Sequence, residues 1–173
     1  MKKFDASDIA NWFLAKIDRH AGDALTHLKL HKLVYYAQVW ALSLLDQSLF
    51  EEDFEAWTHG PALPALHQKY NDYGCEALPP PDSIPVLSEN VQDLLHEILE
   101  VYGNLSAKYL EELVQSESPW IDARNNLPPE IRSNNIISKE SMTDYYKELY
   151  QRLNNGQETQ ENITKGRSTS KAG

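Results

Sequence analysis

Two histidines four residues apart are the first candidates for chemistry. His27 and His31 are spaced so that both imidazoles would lie on one face of a helix, where they could hold a metal ion. The zinc-protease pattern also requires a glutamate directly after the first histidine, and Leu28 occupies that position. No third ligand stands nearby in the sequence. We therefore predict surface or packed histidines and no metal site.

Four carboxylates form the second candidate group. Glu51, Glu52, Asp53 and Glu55 precede Trp57 in a segment that reads as an exposed turn or a short extended piece. Paired acids perform acid–base chemistry only where their environments separate their pKa values. Adjacent acids in an exposed turn do not meet that condition. We expect a solvated acidic turn or a docking surface here.

Patterns for nucleophilic catalysis and phosphate binding are missing from the sequence. Cys75 is the one cysteine and has no activating base beside it, and no G-x-S-x-G serine elbow occurs. The seven glycines are scattered rather than gathered in a phosphate-binding loop. We predict a protein that is not an enzyme, with no catalytic residues and no cofactor. An enzyme assembled from distant histidines and carboxylates remains an alternative.

Composition narrows the class of partner. The 173 residues carry a formal net charge of -10, which repels a phosphate backbone and favours a basic protein partner. Core packing explains most of the residues that could stack on nucleic-acid bases, so direct nucleic-acid binding is not expected. These residues are Tyr35, Tyr36 and Trp40, with Lys29 and Lys32.

The same composition bears on localisation. A single cysteine allows no intramolecular disulfide, which fits a reducing compartment. No apolar region follows the basic residues at the N-terminus, and no run approaches the roughly 18 apolar residues of a membrane span. We predict a cytoplasmic protein without membrane contact.

Helices are the elements that must position these residues. Five of the six predicted helices begin at an N-cap, and the third begins after Pro61 or Pro64. The first helix is predicted to end near Gly22, the third at Gly74, the fourth at Gly103 and the last at Leu153. A short helical turn starts at Ser118. The five caps are Asp5, Thr26, Ser88, Ser106 and Ser138.

The helix over residues 27–45 is apolar on both sides. Leu30 and Leu33 lie on one face, and Tyr35 and Val39 lie nearly opposite, which is typical of a central helix. We predict an all-α, compact single-domain bundle of about six helices around it, with a short extended segment near residues 50–57.

The composition changes after Asn154. Gly, Gln, Thr, Ser and Lys dominate, and such a segment buries too little apolar surface to offset the entropy of ordering. We predict one domain over residues 4–154 and a disordered polar tail over 155–173.

The segment Trp57-Thr58-His59-Gly60-Pro61 is the sharpest local signal. Gly60 permits backbone angles that other residues resist, and Pro61 fixes the next φ, so a rigid turn would present Trp57 and His59. The tryptophan is either an anchor in the core or part of a recognition surface beside it.

Three blocks of sequence stand out by their order and spacing. They are D-I-A-N-W-F (8–13), L-K-L-H-K-L-V-Y-Y-A-Q (28–38) with E-A-W-T-H-G-P (55–61), and L-V-Q-S-E-S-P-W (113–120). Together they resemble the Panacea domain, the SocA-like antitoxin family of bacteria and phages. The chain differs from the common family pattern at Ala62, where valine is frequent, and at Gln115, where histidine is frequent. It also shows no appended helix-turn-helix.

The resemblance implies a compact helical domain that is a non-enzymatic antitoxin of a toxin–antitoxin system. It would neutralise a cognate protein toxin, one acting on translation, by direct contact. The alternative is a phage or prophage interaction module, such as a proteolytic adaptor, and a homo-oligomer remains open. The expected partner-binding residues are Glu51, Glu52, Asp53, Trp57, His59, Lys29, Lys32 and Tyr36, and the expected structural residues are Gly60, Pro61 and Trp120.

Overall fold

Seven α-helices and one two-stranded antiparallel sheet make up the part of the computed structural model that is described, residues 4–20 and 25–169, with side chains through Gly156. This confirms the predicted, predominantly helical fold. In chain order the elements are α1 (Ala6–Lys16), α2 (His27–Leu44), β1 (Glu55–Trp57), β2 (Gly60–Ala62), α3 (Pro64–Tyr70) with a following 3-10 turn (Asn71–Tyr73), α4 (Glu89–Tyr102), α5 (Ala107–Gln115), α6 (Ser118–Ala123) and α7 (Lys139–Thr169).

Polar side chains begin most of the helices, as predicted. At α1 the Asp8 amide donates to Asp5 Oδ1 at 2.9 Å, and Asp8 Oδ2 accepts from the Asp5 amide at 3.1 Å, which forms a capping box. Thr26 and Ser106 accept from backbone amides at the starts of α2 and α5. Such a bond satisfies an amide that has no partner within the helix.

Two further caps were predicted at serines. Ser138 accepts from the Ser141 amide at 3.1 Å at the start of α7. Ser88 occupies the N-cap position of α4 but makes no capping bond, and its hydroxyl donates to Asn90 Oδ1 at 2.6 Å. The position of the helix start was predicted correctly, and the hydrogen bond expected there was wrong.

The central helix is α2, which packs against α1, α4, α5, α7 and the hairpin. Of its 18 residues, 14 are buried, so neither side faces solvent. Burial extends to polar side chains such as Gln38, whose amide donates to the Phe50 carbonyl at 2.9 Å and accepts from the Leu49 amide at 2.8 Å. Gln38 thereby fixes the turn that leads into the hairpin.

Three helix details differ from the sequence-based prediction. α1 ends at Lys16, before the predicted end near Gly22, which lies outside the described residues. Val101, which the sequence pattern placed on the apolar face of the helix that begins at Ser88, is 61% exposed in α4. At 100° per residue the apolar stripe from Val91 continues to Tyr102 instead. α7 extends past Leu153 to Thr169. The division into a domain over 4–154 and a disordered tail stays a prediction.

The predicted extended segment near residues 50–57 forms a strand only at its end, where β1 begins the hairpin with β2. Ala56 pairs with Pro61 across the two strands. On the other side of β1, the Ala56 amide donates to the Asn135 carbonyl and the Ile137 amide donates to the Phe54 carbonyl, both at 2.8 Å. The hairpin is therefore tied to the segment that enters α7.

No helix within the described ranges combines the length and the apolar character needed to cross a membrane.

Candidate functional site: the hairpin and the cleft beside it

Gly60 sits where the hairpin approaches α2 and α5 most closely. Its φ is +110°, in the region that favours glycine. A Cβ added there would lie 3.0 Å from Lys32 Cε and 3.0 Å from Val114 Cγ1. Both the backbone angle and the available space therefore require glycine at this turn. Pro61 follows it and is buried in β2.

The indole of Trp120 and the guanidinium of Arg124 hold the hairpin from the side of α6. Trp120 Nε1 donates to the Trp57 carbonyl at 2.9 Å, and Arg124 Nη1 donates to the Ala56 carbonyl at 2.9 Å. The guanidinium carbon also lies 4.9 Å from the centre of the Trp120 ring, within cation–π range. The two side chains fix the path of β1.

Arg124, which is 2% exposed, was not among the residues predicted from the sequence. Its Nη2 donates to the carbonyls of Pro128 at 2.9 Å and Ile131 at 2.5 Å, which joins the hairpin to the following loop. Its position four residues after Trp120 could have indicated that the two side chains lie side by side, since residues at that spacing are neighbours on a helix.

Gln115 also fastens the hairpin. Its Nε2 donates to the Thr58 carbonyl at 2.8 Å, at the tip of the turn. Gln115 is one of the two positions at which the chain differs from the family pattern described above, and its side-chain amide contacts the hairpin directly.

The acidic residues of the predicted turn each contact a different part of the structure. Glu52 accepts from the Ala6 amide at 3.0 Å, at the N-terminus of α1, where a negative charge is favourable. Asp53 forms an ion pair with Lys139 at 2.7 Å. Glu51 is exposed, and its backbone carbonyl accepts from the same lysine at 3.0 Å. The turn therefore lies beside the starts of α1 and α7.

Two other acids lie close to the hairpin aromatics. Glu55 accepts from Trp57 Nε1 at 2.5 Å, which holds the half-buried indole against β1. His59 is exposed at the turn, with Nδ1 3.2 Å from Glu111 Oε1. Of the predicted partner-binding residues, Glu51, Asp53 and His59 are exposed.

The residues predicted on α2 are not on an exposed face. Tyr36 is 0% exposed and Lys32 is 3% exposed, because the surrounding elements cover α2 on all sides. The expectation that they form part of an open surface was wrong. Lys29 is half-buried, and its Nζ donates to the Gly103 carbonyl at the end of α4.

A buried carboxylate lies beneath the site. Glu117 is 5% exposed and accepts from the hydroxyls of Tyr36, at 2.9 Å, and Tyr146. Burial raises the pKa of the Glu117 carboxyl to about 7, and the hydrogen bond from Tyr36 opposes that shift. The Tyr36 ring stacks on Tyr102 with 4.0 Å between centroids. Sequence reasoning missed this group, since its partners come from α2 and α7.

A cleft of about 890 Å³ lies between the start of α2, the hairpin, α3 and the loop over residues 130–134. Its polar lining is mostly basic or imidazole, which contrasts with the acidic charge of the whole chain. The basic and imidazole side chains that line it are His27, His31, Lys32, His59, His67 and Arg132.

Three histidines of the cleft lie near one another but do not converge on one point that a metal ion could occupy. The ring centroids of His31 and His67 each lie 6.0 Å from that of His27. Burial lowers the pKa of His31 to about 4, and its Nδ1 donates to the His27 carbonyl at 2.8 Å. Within the described part of the chain, no three His, Cys, Asp or Glu side chains are placed to hold a metal ion.

Comparison with known proteins gives one family. The model described as Antitoxin SocA-like, Panacea domain, matches residues 30–121. The match runs from α2 into α6 and contains the hairpin, Glu117 and Trp120. No curated protein and no solved structure matches the chain.

Proposed function

The chain belongs to the family described as Antitoxin SocA-like, Panacea domain, and from that premise we propose that it is an antitoxin that neutralises a cognate protein toxin by direct contact. The observation that carries this proposal is the matched range itself, which includes the hairpin and Trp120, the tryptophan that fixes it. Inhibition would arise from occupying the toxin's surface, without catalysis by this chain.

We place the toxin contact on the exposed side of the hairpin and the acidic turn before it. Glu51 and Asp53 carry exposed charge, and His59 projects from the turn. Ile131 and Ile136, which flank the hairpin, are 46% and 51% exposed. Exposed apolar side chains beside charged ones are typical of a non-obligate protein interface. The acidic charge would steer a basic toxin to this surface.

Glu52 stands apart from the other acids of the turn. Its carboxylate accepts from the Ala6 amide, so replacing it would disturb the start of α1 as well as any partner contact. A test of the surface should therefore change Glu51 and Asp53 and leave Glu52 intact.

The test of the function is a growth rescue. The open reading frame next to this gene is expressed from a tight inducible promoter, alone and together with the full chain. We expect growth arrest by the neighbour alone and normal growth with both, and a stable complex on co-purification. A neighbour that is harmless, or whose toxicity persists on co-expression, would contradict the proposal and would favour an adaptor or an interaction module without a toxin.

Two finer statements belong to the same proposal. We propose that the toxin acts on translation and that the pair functions in the cytoplasm, where the exposed thiol of Cys75 would stay reduced. Measuring incorporation of labelled amino acid after induction of the neighbour tests the first statement, since synthesis should stop before growth does.

A further inference from the structure

A charged side chain lies at the inner wall of the cleft without a hydrogen-bond partner. Lys32 is 3% exposed, and its Nζ donates to no atom of the residues that the structure describes. Buried ammonium groups are normally paired, because desolvation of an unpaired charge is costly. Glu111 attracts it through space, but the Glu111 carboxylate contacts His59 at 3.2 Å.

The missing side chain at Gly60 keeps the space around this ammonium group open. A Cβ at that position would lie 3.1 Å from Lys32 Nζ. The glycine therefore lets the hairpin turn approach Lys32, and a side chain at this position would crowd the ammonium group.

A second polar atom at the cleft is also unsatisfied. His27 is 8% exposed, and its Nδ1 has no hydrogen-bond partner within the described ranges. Burial, with the charges of His67 and Lys32, lowers the pKa of His27, so the ring is neutral near pH 7 and can donate one hydrogen bond. Buried polar groups without partners are uncommon, and this one lines the same cleft as Lys32.

The rest of the cleft suits the body of a small molecule. Its volume of about 890 Å³ is within the range of small-molecule sites. Leu28, Trp57 and Pro61 supply apolar and aromatic walls, and the exposed Arg132 adds a second cation.

We propose that this cleft binds a small organic anion, a carboxylate or phosphate carried on an apolar or aromatic body, with the anionic group on Lys32. His27 would donate to the same group, and the body would lie against Trp57. The cleft shares His59 with the proposed toxin contact, and the binding of an anion on Lys32 goes beyond the antitoxin function.

Two acids line the same cleft and must be accounted for. The Glu55 carboxylate is engaged by Trp57 Nε1 at 2.5 Å, and Glu130 is exposed on the loop. Neither forms an ion pair with Lys32 within 4.0 Å. The inner end of the cleft therefore keeps a net positive charge for a ligand.

The first experiment uses the ¹⁵N-labelled full chain at constant ionic strength and pH 7. Benzoate, phenyl phosphate and inorganic phosphate are titrated separately, with benzyl alcohol as the neutral control. We expect saturable shifts of the Gly60 amide and the Trp57 indole with benzoate or phenyl phosphate, and which of the two binds identifies the anionic group. No saturable shift with either aromatic anion, or equal shifts with benzyl alcohol, would overturn the proposal.

Two variants then test the cation. Lys32→Met keeps the length of the side chain and removes the charge, and we expect it to weaken anion binding tenfold or more, about 1.4 kcal/mol. Lys108→Met is the matched control, because that lysine also lies near Glu111, at 3.9 Å, but has 71% side-chain exposure outside the cleft. Equal affinities in the wild type and folded Lys32→Met would overturn the assignment.

A variant at the surface tests anion binding in the cleft even if Lys32→Met does not fold. Arg132→Gln changes an exposed residue and spares the core. We expect it to weaken binding of the same anion about threefold while benzyl alcohol behaves as before. An unchanged affinity would contradict binding of the anion in this cleft.

Discussion

Trp120 donates its indole N–H to the backbone carbonyl of Trp57 across 63 positions of sequence, at 2.9 Å. The bond joins α6 to the last residue of β1, so the path of the hairpin depends on a helix far from it in the chain. Because the Trp120 ring is 6% exposed, its donor cannot be replaced by water without opening the site.

Trp120→Phe should therefore weaken both stability and toxin neutralisation. Phenylalanine keeps an aromatic ring and removes the donor, which leaves the Trp57 carbonyl without this partner. We expect a loss of about 1–2 kcal/mol in the free energy of unfolding, measured by urea denaturation. Trp40→Phe is the matched control, because Trp40 Nε1 donates to Tyr102 at 3.0 Å, away from the hairpin. Equal loss of neutralisation in both variants would contradict a specific role for the Trp120 bond.

Gly60→Ala should destabilise the hairpin through both angle and contact. The φ of +110° is unfavourable for alanine, and the new Cβ would lie 3.0 Å from Lys32 and Val114. We expect a loss of about 2 kcal/mol or more, since a backbone strained in this region costs roughly 1–3 kcal/mol by itself. Gly156→Ala is the control, because nothing lies within 4 Å of that position in α7. Thermal unfolding should show no loss in the control variant.

The buried carboxylate of Glu117 should make stability depend on pH. Its pKa in the folded protein is raised to about 7 from 4.5, so the folded state binds more protons than the unfolded state between these values. The contribution of Glu117 to the free energy of unfolding is therefore fully present below pH 4.5 and is lost as pH rises to about 7.

The measurement compares Glu117→Gln with the wild type by urea unfolding at several pH values. The glutamine does not titrate. The free energy of unfolding of the variant, relative to that of the wild type, should therefore rise by roughly 3 kcal/mol between pH 4.5 and 7. Titration of His31 occurs in both proteins and cancels in the difference. A difference that stays flat over this range would show that the carboxyl titrates normally.

Removing the charges of Glu51 and Asp53 should weaken toxin binding. We expect the double variant Glu51→Gln, Asp53→Asn to bind about twofold to thirtyfold more weakly, because exposed ion pairs contribute about 0.2–1 kcal/mol each. The effect should diminish at high salt.

The matched control for this pair is Asp46→Asn, Glu148→Gln. Asp46 pairs with Lys147 at 2.7 Å, as Asp53 pairs with Lys139, and the control also loses the longer, exposed pair between Glu148 and Arg152 at 3.9 Å. The two lysines lie about 12 Å apart along α7 at 1.5 Å per residue. If calorimetry gives the same affinity for both double variants, the contact surface lies elsewhere.

Local signals made much of the fold predictable. Asp5, Thr26 and Ser106 cap helices because the cap depends on a few neighbouring residues. The central position of α2 followed from apolar residues on opposite sides. The same pattern did not indicate the burial of Lys32 and Tyr36, because it does not reveal which elements cover the helix.

Two buried groups of the site could not be predicted from local sequence. Arg124 is satisfied mainly by backbone carbonyls, and carbonyls carry no sequence signal. Glu117 is satisfied by tyrosines that lie 81 and 29 positions away. In both cases the tertiary structure, rather than periodicity or composition, determines why a charged residue is tolerated inside.

The hairpin's tie to the segment before α7 limits how a partner can bind. The outward-facing backbone of β1 is already used, since the Ala56 amide donates to Asn135 and the Ala56 carbonyl accepts from Arg124. A toxin therefore could not extend the small sheet by adding a strand there unless residues 135–137 were first displaced. In the proposed complex, recognition at this hairpin would rely on side-chain chemistry, and specificity for different toxins would then change by surface substitution while the backbone stays the same.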